Sequence, residues 1–215
     1  SLVAGTSARD FLEIINSHLG INQLWVGYDF ALGRGRQGDI PALRQIGTEL
    51  GYSLDVIPPL TLDGEVVSSS HIRSLLFSGQ IAEANRLLGR PYRLEGIVVP
   101  GDGRGRSIGV PTANLEIWSE MAVPPAGVYV CRAWVDGRLY GAVTNIGTRP
   151  TFETKNPTST VEAHLLDLTQ DLYGKHLQLD FLQRLRDELR FPNVQALVDQ
   201  IQIDIQAGRK ILTTS

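Results

Sequence analysis

The stretch Gly101-Asp102-Gly103-Arg104-Gly105-Arg106-Ser107-Ile108-Gly109-Val110-Pro111-Thr112-Ala113-Asn114 brings glycines, cations and small polar side chains together directly after a strand-like run. Glycines at 101, 103, 105 and 109 open backbone conformations closed to other residues and let amide N–H groups approach a ligand, while Arg104 and Arg106 can neutralise its negative charge. This is the chemistry of a phosphate-handling loop. Pro111 then sets the chain direction. Thr112 and Asn114, two apart on an extended segment, present a hydroxyl and an amide oxygen to one side, donors suited to a hard cation such as Mg²⁺. The order is not that of a Walker loop, which runs Gly-Lys-Ser/Thr into a helix. Glycine and arginine also crowd ordinary solvent-exposed hairpins, and composition by itself leaves that alternative open.

Two further segments carry polar groups that could meet this loop. Thr144-Asn145-Ile146-Gly147-Thr148-Arg149-Pro150-Thr151 is a polar strand end able to supply backbone hydrogen bonds and an anion contact. In Val161-Glu162-Ala163-His164, Glu162 and His164 alternate with apolar residues and so share a strand face. A carboxylate beside a phosphate loop is suited to orient an alcohol and accept its proton, which makes Glu162 the candidate base; its alternative is a solvent-facing strand glutamate. His164 reads as a hydrogen-bonded framework residue. Earlier in the chain, Ser68-Ser69-Ser70-His71-Ile72-Arg73 opens a helix where a serine can cap, where unpaired amides favour an anion, and where Arg73 lies one turn along from Ser70.

The elements that must position these groups change character along the chain. Residues 7–19 read as a helix with Phe11, Leu12, Ile15 and Leu19 on its apolar face, followed by a strand at 24–27, a helix after Asp39 and a strand at 52–57. Strand, helix, strand in succession predicts a piece of parallel α/β sheet. Two short helices, 72–77 and 81–88, lead to a boundary at Gly89-Arg90-Pro91. Beyond it, strand-like runs at 92–99, 127–135, 139–146, 160–166 and 176–181 lack intervening helices, which predicts an antiparallel barrel. Helices are expected at 182–190, with Leu182, Leu185 and Leu189 inward, and at 193–207, covering an end or flank of the barrel.

Lys and Arg number 20 and Asp and Glu 23, a formal charge of −3, which disfavours a general binder of nucleic acid or acidic membranes. The single cysteine, Cys131, sits in an apolar alternating run and reads as a core side chain. No apolar run approaches a membrane span and the start lacks a signal-peptide pattern, so the cytoplasm is the expected location.

Gly-Arg-Gly-Arg-Ser-Ile-Gly-Val-Pro-Thr-Ala-Asn at 103–114, Gly-Val-Tyr at 127–129, Asn-Ile-Gly-Thr-Arg-Pro-Thr-Phe at 145–152, Val-Glu-Ala-His at 161–164, Asp-Leu-Tyr-Gly at 171–174 and Leu-Arg-Asp-Glu-Leu-Arg-Phe at 185–191 resemble the successive kinase motifs of the bacterial bifunctional riboflavin kinase/FMN adenylyltransferases. The resemblance implies a Greek-key β-barrel kinase domain over residues 90–215, preceded over residues 1–89 by a partial Rossmann-like nucleotidyltransferase domain. It implies transfer of the ATP γ-phosphoryl group to the 5′-hydroxyl of riboflavin, giving FMN. Thr112 and Asn114 would hold Mg²⁺ and phosphate, and Glu162 would take the hydroxyl proton. Gly101–Gly109, with Arg104 and Arg106, and the Asn145–Gly147 corner would surround the nucleotide, with Leu185 and Arg186 on the flavin side. Val110 stands where the family often has phenylalanine. A non-catalytic flavin-binding module is the alternative.

Gly27, Asp29 and Phe30, with Ser68, Ser69, Ser70 and Arg73, resemble later motifs of the adenylyltransferase domain, Ser70 replacing the usual threonine. The early His-x-Gly-His segment is absent from these 215 residues. The expectation is therefore a piece of a longer enzyme that keeps kinase activity and lacks FAD synthesis. Its half-sheet would carry an exposed edge open to self-association.

Overall fold

A computed structural model of the chain describes residues 5–101, 103, 105, 108–149 and 158–214. The chain divides into two compact units, Ser1–Val67 and Ser68–Ser215.

In the first unit, α1 (Ala8–Leu19) starts where the Ser7 hydroxyl accepts the Asp10 N–H and stops at Gly20 in the left-handed region. β1 (Gln23–Gly27) and β2 (Ser53–Ile57) pair in parallel through α2 (Ile40–Leu50), which Asp39 caps by accepting from the Ala42 N–H. Leu12, Val26, Leu43, Ile46, Tyr52 and Leu54 make the core. Leu19, expected on the apolar face of α1, is 77% exposed, because the helix packs through Ala8 and Leu12. A short hairpin of β3 (Thr61–Leu62) and β4 (Glu65–Val66) turns at Asp63-Gly64, both with positive φ, as a two-residue hairpin matched to strand twist requires.

The second unit opens with α3 (Ser69–Phe77) and α4 (Ile81–Leu88). These two helices lie with the barrel-containing unit, ahead of the Gly89–Pro91 boundary read from the sequence, since α3 packs on α4 and α4 on the barrel. The Asn85 carboxamide donates to the Phe181 carbonyl at 2.8 Å and accepts the Tyr92 N–H at 2.8 Å, which ties α4 to two barrel strands.

The barrel consists of β5 (Tyr92–Val99), β6 (Ala113–Ile117), β7 (Gly127–Val135), β8 (Arg138–Arg149), β9 (Thr158–Leu165) and β10 (His176–Arg186), closed in the order β10-β5-β6-β9-β8-β7 with every pair antiparallel. β7, β8 and β9 form a meander and β10 returns beside β7, a Greek key. Inward-facing Leu94, Tyr129, Cys131, Ile146, Val161, Leu179 and Phe181 fill it, with the Tyr129 and Phe181 rings edge to face at 5.3 Å.

The helix expected over 182–190 does not form. β10 continues to Arg186, pairing Gln183, Arg184 and Arg186 with Val130, Tyr129 and Val128, with register shifts after Phe181 and after Arg184. Each bulge resets the two-residue alternation, so Leu182, Leu185 and Leu189 acquire a helix-like spacing without sharing a buried face; Leu189 is exposed. The terminal helix, α5 (Val194–Thr214), runs seven residues beyond its expected end at 207. It lies along the outer face of β7 and β8, where glycines permit close approach: a Cβ on Gly141 would stand 2.5 Å from Leu212 Cδ1, and one on Gly208 would stand 3.1 Å from Val143 Cγ2.

Candidate active site on the outer wall of the barrel

Along β9, Val161, Ala163 and Leu165 point into the barrel, so Glu162 and His164 point out. The register across neighbouring strands then sets Asn114 opposite Glu162, Glu162 opposite Asn145, Asn145 opposite Val128 and Val128 opposite Arg186. Five residues from β6, β9, β8, β7 and β10 thus form one row on the outer wall. Asn114, Glu162 and Asn145 sit side by side in it. Directly opposed side chains on a sheet have Cβ atoms about 5 Å apart, so a carboxylate lies between two carboxamides.

None of Thr112, Asn114, Asn145 and Glu162 has a side-chain hydrogen-bond partner among the described residues. His164, by contrast, is tied: its Nδ1 lies 2.8 Å from the Pro111 carbonyl, which can only accept, so Nδ1 carries the proton and the ring braces the turn that leads to Thr112.

Two cavities share Thr112, one on this wall and one on the side to which Ala163 and Leu165 point. One, of about 290 Å³, lies between the barrel and α5; it is lined by Thr112, Asn145, Glu162 and Arg186 together with the apolar Val110, Val128, Val143, Phe191, Leu197, Ile201 and Ile205. The other, of about 380 Å³, is lined by Val98, Pro111, Thr112 and Ala163 and by the segment from Leu168 to Tyr173. Thr112 lines both. The apolar cavity has the make-up of a site for a flat ring with a few polar anchors.

The glycines shape this wall by close approach. A Cβ on Gly101 would fall 2.1 Å from Asn114 Nδ2, and one on Gly105 would fall 2.3 Å from the Val110 carbonyl oxygen. The Gly105 carbonyl accepts the Val110 N–H at 2.8 Å, closing the turn before Pro111, and Gly103 and Gly109 take positive φ. Arg104 and Arg106, expected at the phosphates, lie outside the described residues, as do Asp102, Ser107 and residues 150–157.

Arg186 reaches the site already partnered. Its Nη2 donates to Asp204 Oδ2 at 2.7 Å and its Nε lies 3.0 Å from Oδ1, with Asp204 only 5% exposed; Gln200 adds a 2.9 Å bond to the same carboxylate. The guanidinium stands 5.9 Å from the centre of the Phe191 ring. Arg186 therefore anchors α5 over the cavity as well as lining it. Leu185, expected beside it on the flavin side, does not line the cavity; Phe191 and the apolar face of α5 do. The resemblance placed the terminal helices on this side; Phe191 was not singled out because it follows the helix that the sequence spacing suggested up to residue 190. Behind the wall, burial pushes the Cys131 thiol up to about 12, which leaves it an inert core residue.

The residues resembling adenylyltransferase motifs fall in both units, each within its own local structure. Gly27 ends β1, the Asp29 carbonyl accepts from Arg36 Nη2 at 2.8 Å, and Phe30 is exposed. Ser68 caps α3 by accepting the His71 N–H at 3.2 Å, while Ser69, Ser70 and Arg73 are exposed on that helix.

Comparison with known proteins bears on the same segments. A protein-family model for riboflavin kinase matches residues 88–212, a span that contains the barrel, both cavities and α5. The chain belongs to the riboflavin kinase family. A second model, for FAD synthetase, matches residues 1–71. The chain is 36% identical over 205 residues to the bifunctional riboflavin kinase/FMN adenylyltransferase of Bacillus subtilis, covering 94% of this chain and 64% of that protein. It is 38% identical over 210 residues to the protein of the same name from Pseudomonas fluorescens, covering 97% and 67%. The chain thus spans about two thirds of the length of these relatives. A crystal structure described as a macrolide-efflux protein from Streptococcus pneumoniae superposes with a TM-score of 0.83 at 30% identity, over 97% of this chain and 67% of that one.

Proposed function

We propose that this chain phosphorylates riboflavin, moving the γ-phosphoryl group of ATP to the ribityl 5′-hydroxyl to give FMN. The observation that carries the reading is that Thr112 lines two cavities at once, with Glu162 in the apolar one. A phosphoryl transfer between two bound molecules needs such an arrangement, since alignment of donor and acceptor accounts for much of the catalysis. Riboflavin's ring system fits the cavity under α5, and the nucleotide fits the cavity walled by Leu168–Tyr173. Glu162, flanked by Asn114 and Asn145 and without a hydrogen-bond partner among the described residues, accepts the hydroxyl proton as the oxygen attacks phosphorus.

Hard oxygen donors suit Mg²⁺, and the hydroxyl of Thr112, which lines both cavities, and the amide oxygen of Asn114, two residues along, are of that kind. No group of three or more His, Cys, Asp or Glu side chains that could hold a metal occurs among the described residues, so phosphate oxygens and water would complete the shell. Bound there, Mg²⁺ would neutralise charge on the phosphates. His164 keeps the Pro111–Thr112 peptide in place, and α5 excludes water from the acceptor side.

Transport, the activity in the name of the S. pneumoniae protein, is not the reading taken, since no described helix is long and apolar enough to cross a membrane. The test is a chromatographic time course with purified chain, ATP, Mg²⁺ and either riboflavin or FMN. FMN formation from riboflavin is expected, with no FAD from FMN because these residues hold no His-x-Gly-His segment. Absence of FMN would overturn the kinase reading, and FAD formation would overturn its restriction to one step.

A further inference from the structure

Arg184 and Arg186 stand two residues apart on β10 and face opposite ways. Arg184 is opposite Tyr129, whose ring lies in the barrel interior, and Arg186 is opposite Val128 in the row on the outer wall. Residues two apart on a regular strand share a face, so the register shift between them is what sends Arg186 outward to Asp204 and the cavity beneath α5.

The Arg184 side chain holds that shift from the inside. Its guanidinium lies 5.9 Å from the centre of the Tyr129 ring, and its Nη2 donates to the Ala126 carbonyl at 2.7 Å and lies 2.6 Å from Asp187 Oδ1. The Asp187 side chain is 77% exposed, so that ion pair adds little by itself. It does close the chain around the bulge, because Asp187 follows Arg186 and its carbonyl accepts from Arg186 Nη1 at 2.9 Å.

Two glycines make room for the guanidinium. A Cβ on Gly127 would stand 2.7 Å from the Arg186 carbonyl oxygen and 3.1 Å from Arg184 Nε and Nη2. A Cβ on Gly79, in the turn between α3 and α4, would stand 3.0 Å from Arg184 Cδ. Arg184 Nε is buried without a hydrogen-bond partner among the described residues, a cost that an apolar side chain packed in the same place would not carry.

We propose that Arg184 is a positioning residue for the flavin cavity: it is not among the residues that line the cavity, and it acts by fixing the bulge at Leu185 and through it the place of Arg186 under α5. The inference rests on the kinase reading. A planar, forked guanidinium serves Ala126 and Asp187 from one position, which a lysine ammonium does only in part. The lining of the other cavity, with Thr112 and the segment from Leu168 to Tyr173, does not include this bulge, so the nucleotide side is left out of the effect.

The test is a double-mutant cycle on riboflavin binding, followed by quenching of flavin fluorescence, with Arg184→Met, Arg186→Met and the two combined. Arg184→Met keeps the stem and removes the donors. It should weaken riboflavin binding roughly three- to tenfold in the wild-type chain and less than about twofold in the Arg186→Met chain, where the residue it acts through is gone. Initial rates should show the same rise in KM for riboflavin, with KM for Mg·ATP unchanged. Arg184→Lys should restore part of the affinity, and the same cycle is read with it where Arg184→Met does not fold. Tyr92→Phe, which releases the Ala122 carbonyl in the same connection between β6 and β7, should leave riboflavin affinity as it is.

Equal losses from Arg184→Met in both backgrounds would overturn the proposal, as would a lower melting temperature with riboflavin binding intact, or equal rises in both KM values. A loss in Tyr92→Phe as large as that in Arg184→Met would also overturn it, placing the effect in the connection and not in the bulge. Failure of the wild-type chain to bind riboflavin would instead remove the kinase reading itself.

Discussion

Asn145 and Glu162 face each other across β8 and β9 on the outside of the barrel, and both line the cavity beneath α5. The carboxylate thereby faces the hollow beneath α5, away from the packed interior on the other side of its own strand.

If Glu162 accepts the hydroxyl proton, Glu162→Gln should lower FMN formation by about 10²–10⁴-fold. The side chain is half-exposed and has no partner among the described residues, so thermal unfolding should barely move. Steady-state rates beside a circular-dichroism melt check both halves, and undiminished turnover would remove Glu162 from this role.

Thr112→Val keeps shape and removes the hydroxyl. Loss of a hydrogen bond or ligand contact to a charged group predicts a fall on the order of tenfold in kcat/KM for Mg·ATP, with riboflavin binding preserved. Varying Mg²⁺ at fixed ATP shows whether the loss lies on the nucleotide side.

Gly101→Ala would place a Cβ 2.1 Å from Asn114 Nδ2. The carboxamide can swing aside at little cost in stability, but it then leaves its place beside Glu162. Misplacement of about 1 Å at a reacting centre can cost up to roughly 100-fold in rate. The expected outcome is a folded protein with strongly reduced kcat, and a fully active variant would show that Asn114 need not stand where it does.

Asp204→Ala strands the Arg186 guanidinium beside a hydrophobic helix face. Removing one partner of a buried ion pair typically destabilises by about 3–5 kcal/mol. Arg186 retains a bond to the Asp187 carbonyl, so the lower end is expected, read as a lower urea midpoint. Flavin affinity should fall as well, since α5 forms one side of the cavity.

Burial holds the Cys131 thiol at about 12, well above the ordinary thiol range. The folded state therefore keeps a proton that the unfolded chain releases. The stability tied to that proton is fully present below pH 9 and is lost as pH rises from there towards 12, at about 1.4 kcal/mol per pH unit. Urea midpoints at pH 8, 9 and 10 for the wild type and Cys131→Ala test the sign: the wild type should lose stability faster across that range.

Much of the local structure was legible because its causes are local. Asp63-Gly64 and Asp136-Gly137 take the positive φ values that tight hairpins demand, and Ser7, Asp39 and Ser68 cap helices through their own side chains. The change from helix-and-strand to strand-only character showed the barrel from composition and spacing. Period-two alternation placed Glu162 and His164 on one face before any partner strand was known. The error at 182–190 arose where two bulges disturbed that same alternation, a feature decided by pairing with β7.

The sequence by itself thus determined element types, turns, caps and the polar residues worth suspecting, because these depend on neighbours a few positions away. The tertiary structure alone decided that Asn114, Glu162, Asn145, Val128 and Arg186 stand in one row, that α5 roofs them, and that Glu188 rests over Gly147. Strand register and barrel closure join residues as far apart as 114 and 186, and a one-residue slip in any pair would turn the affected side chains to the opposite face.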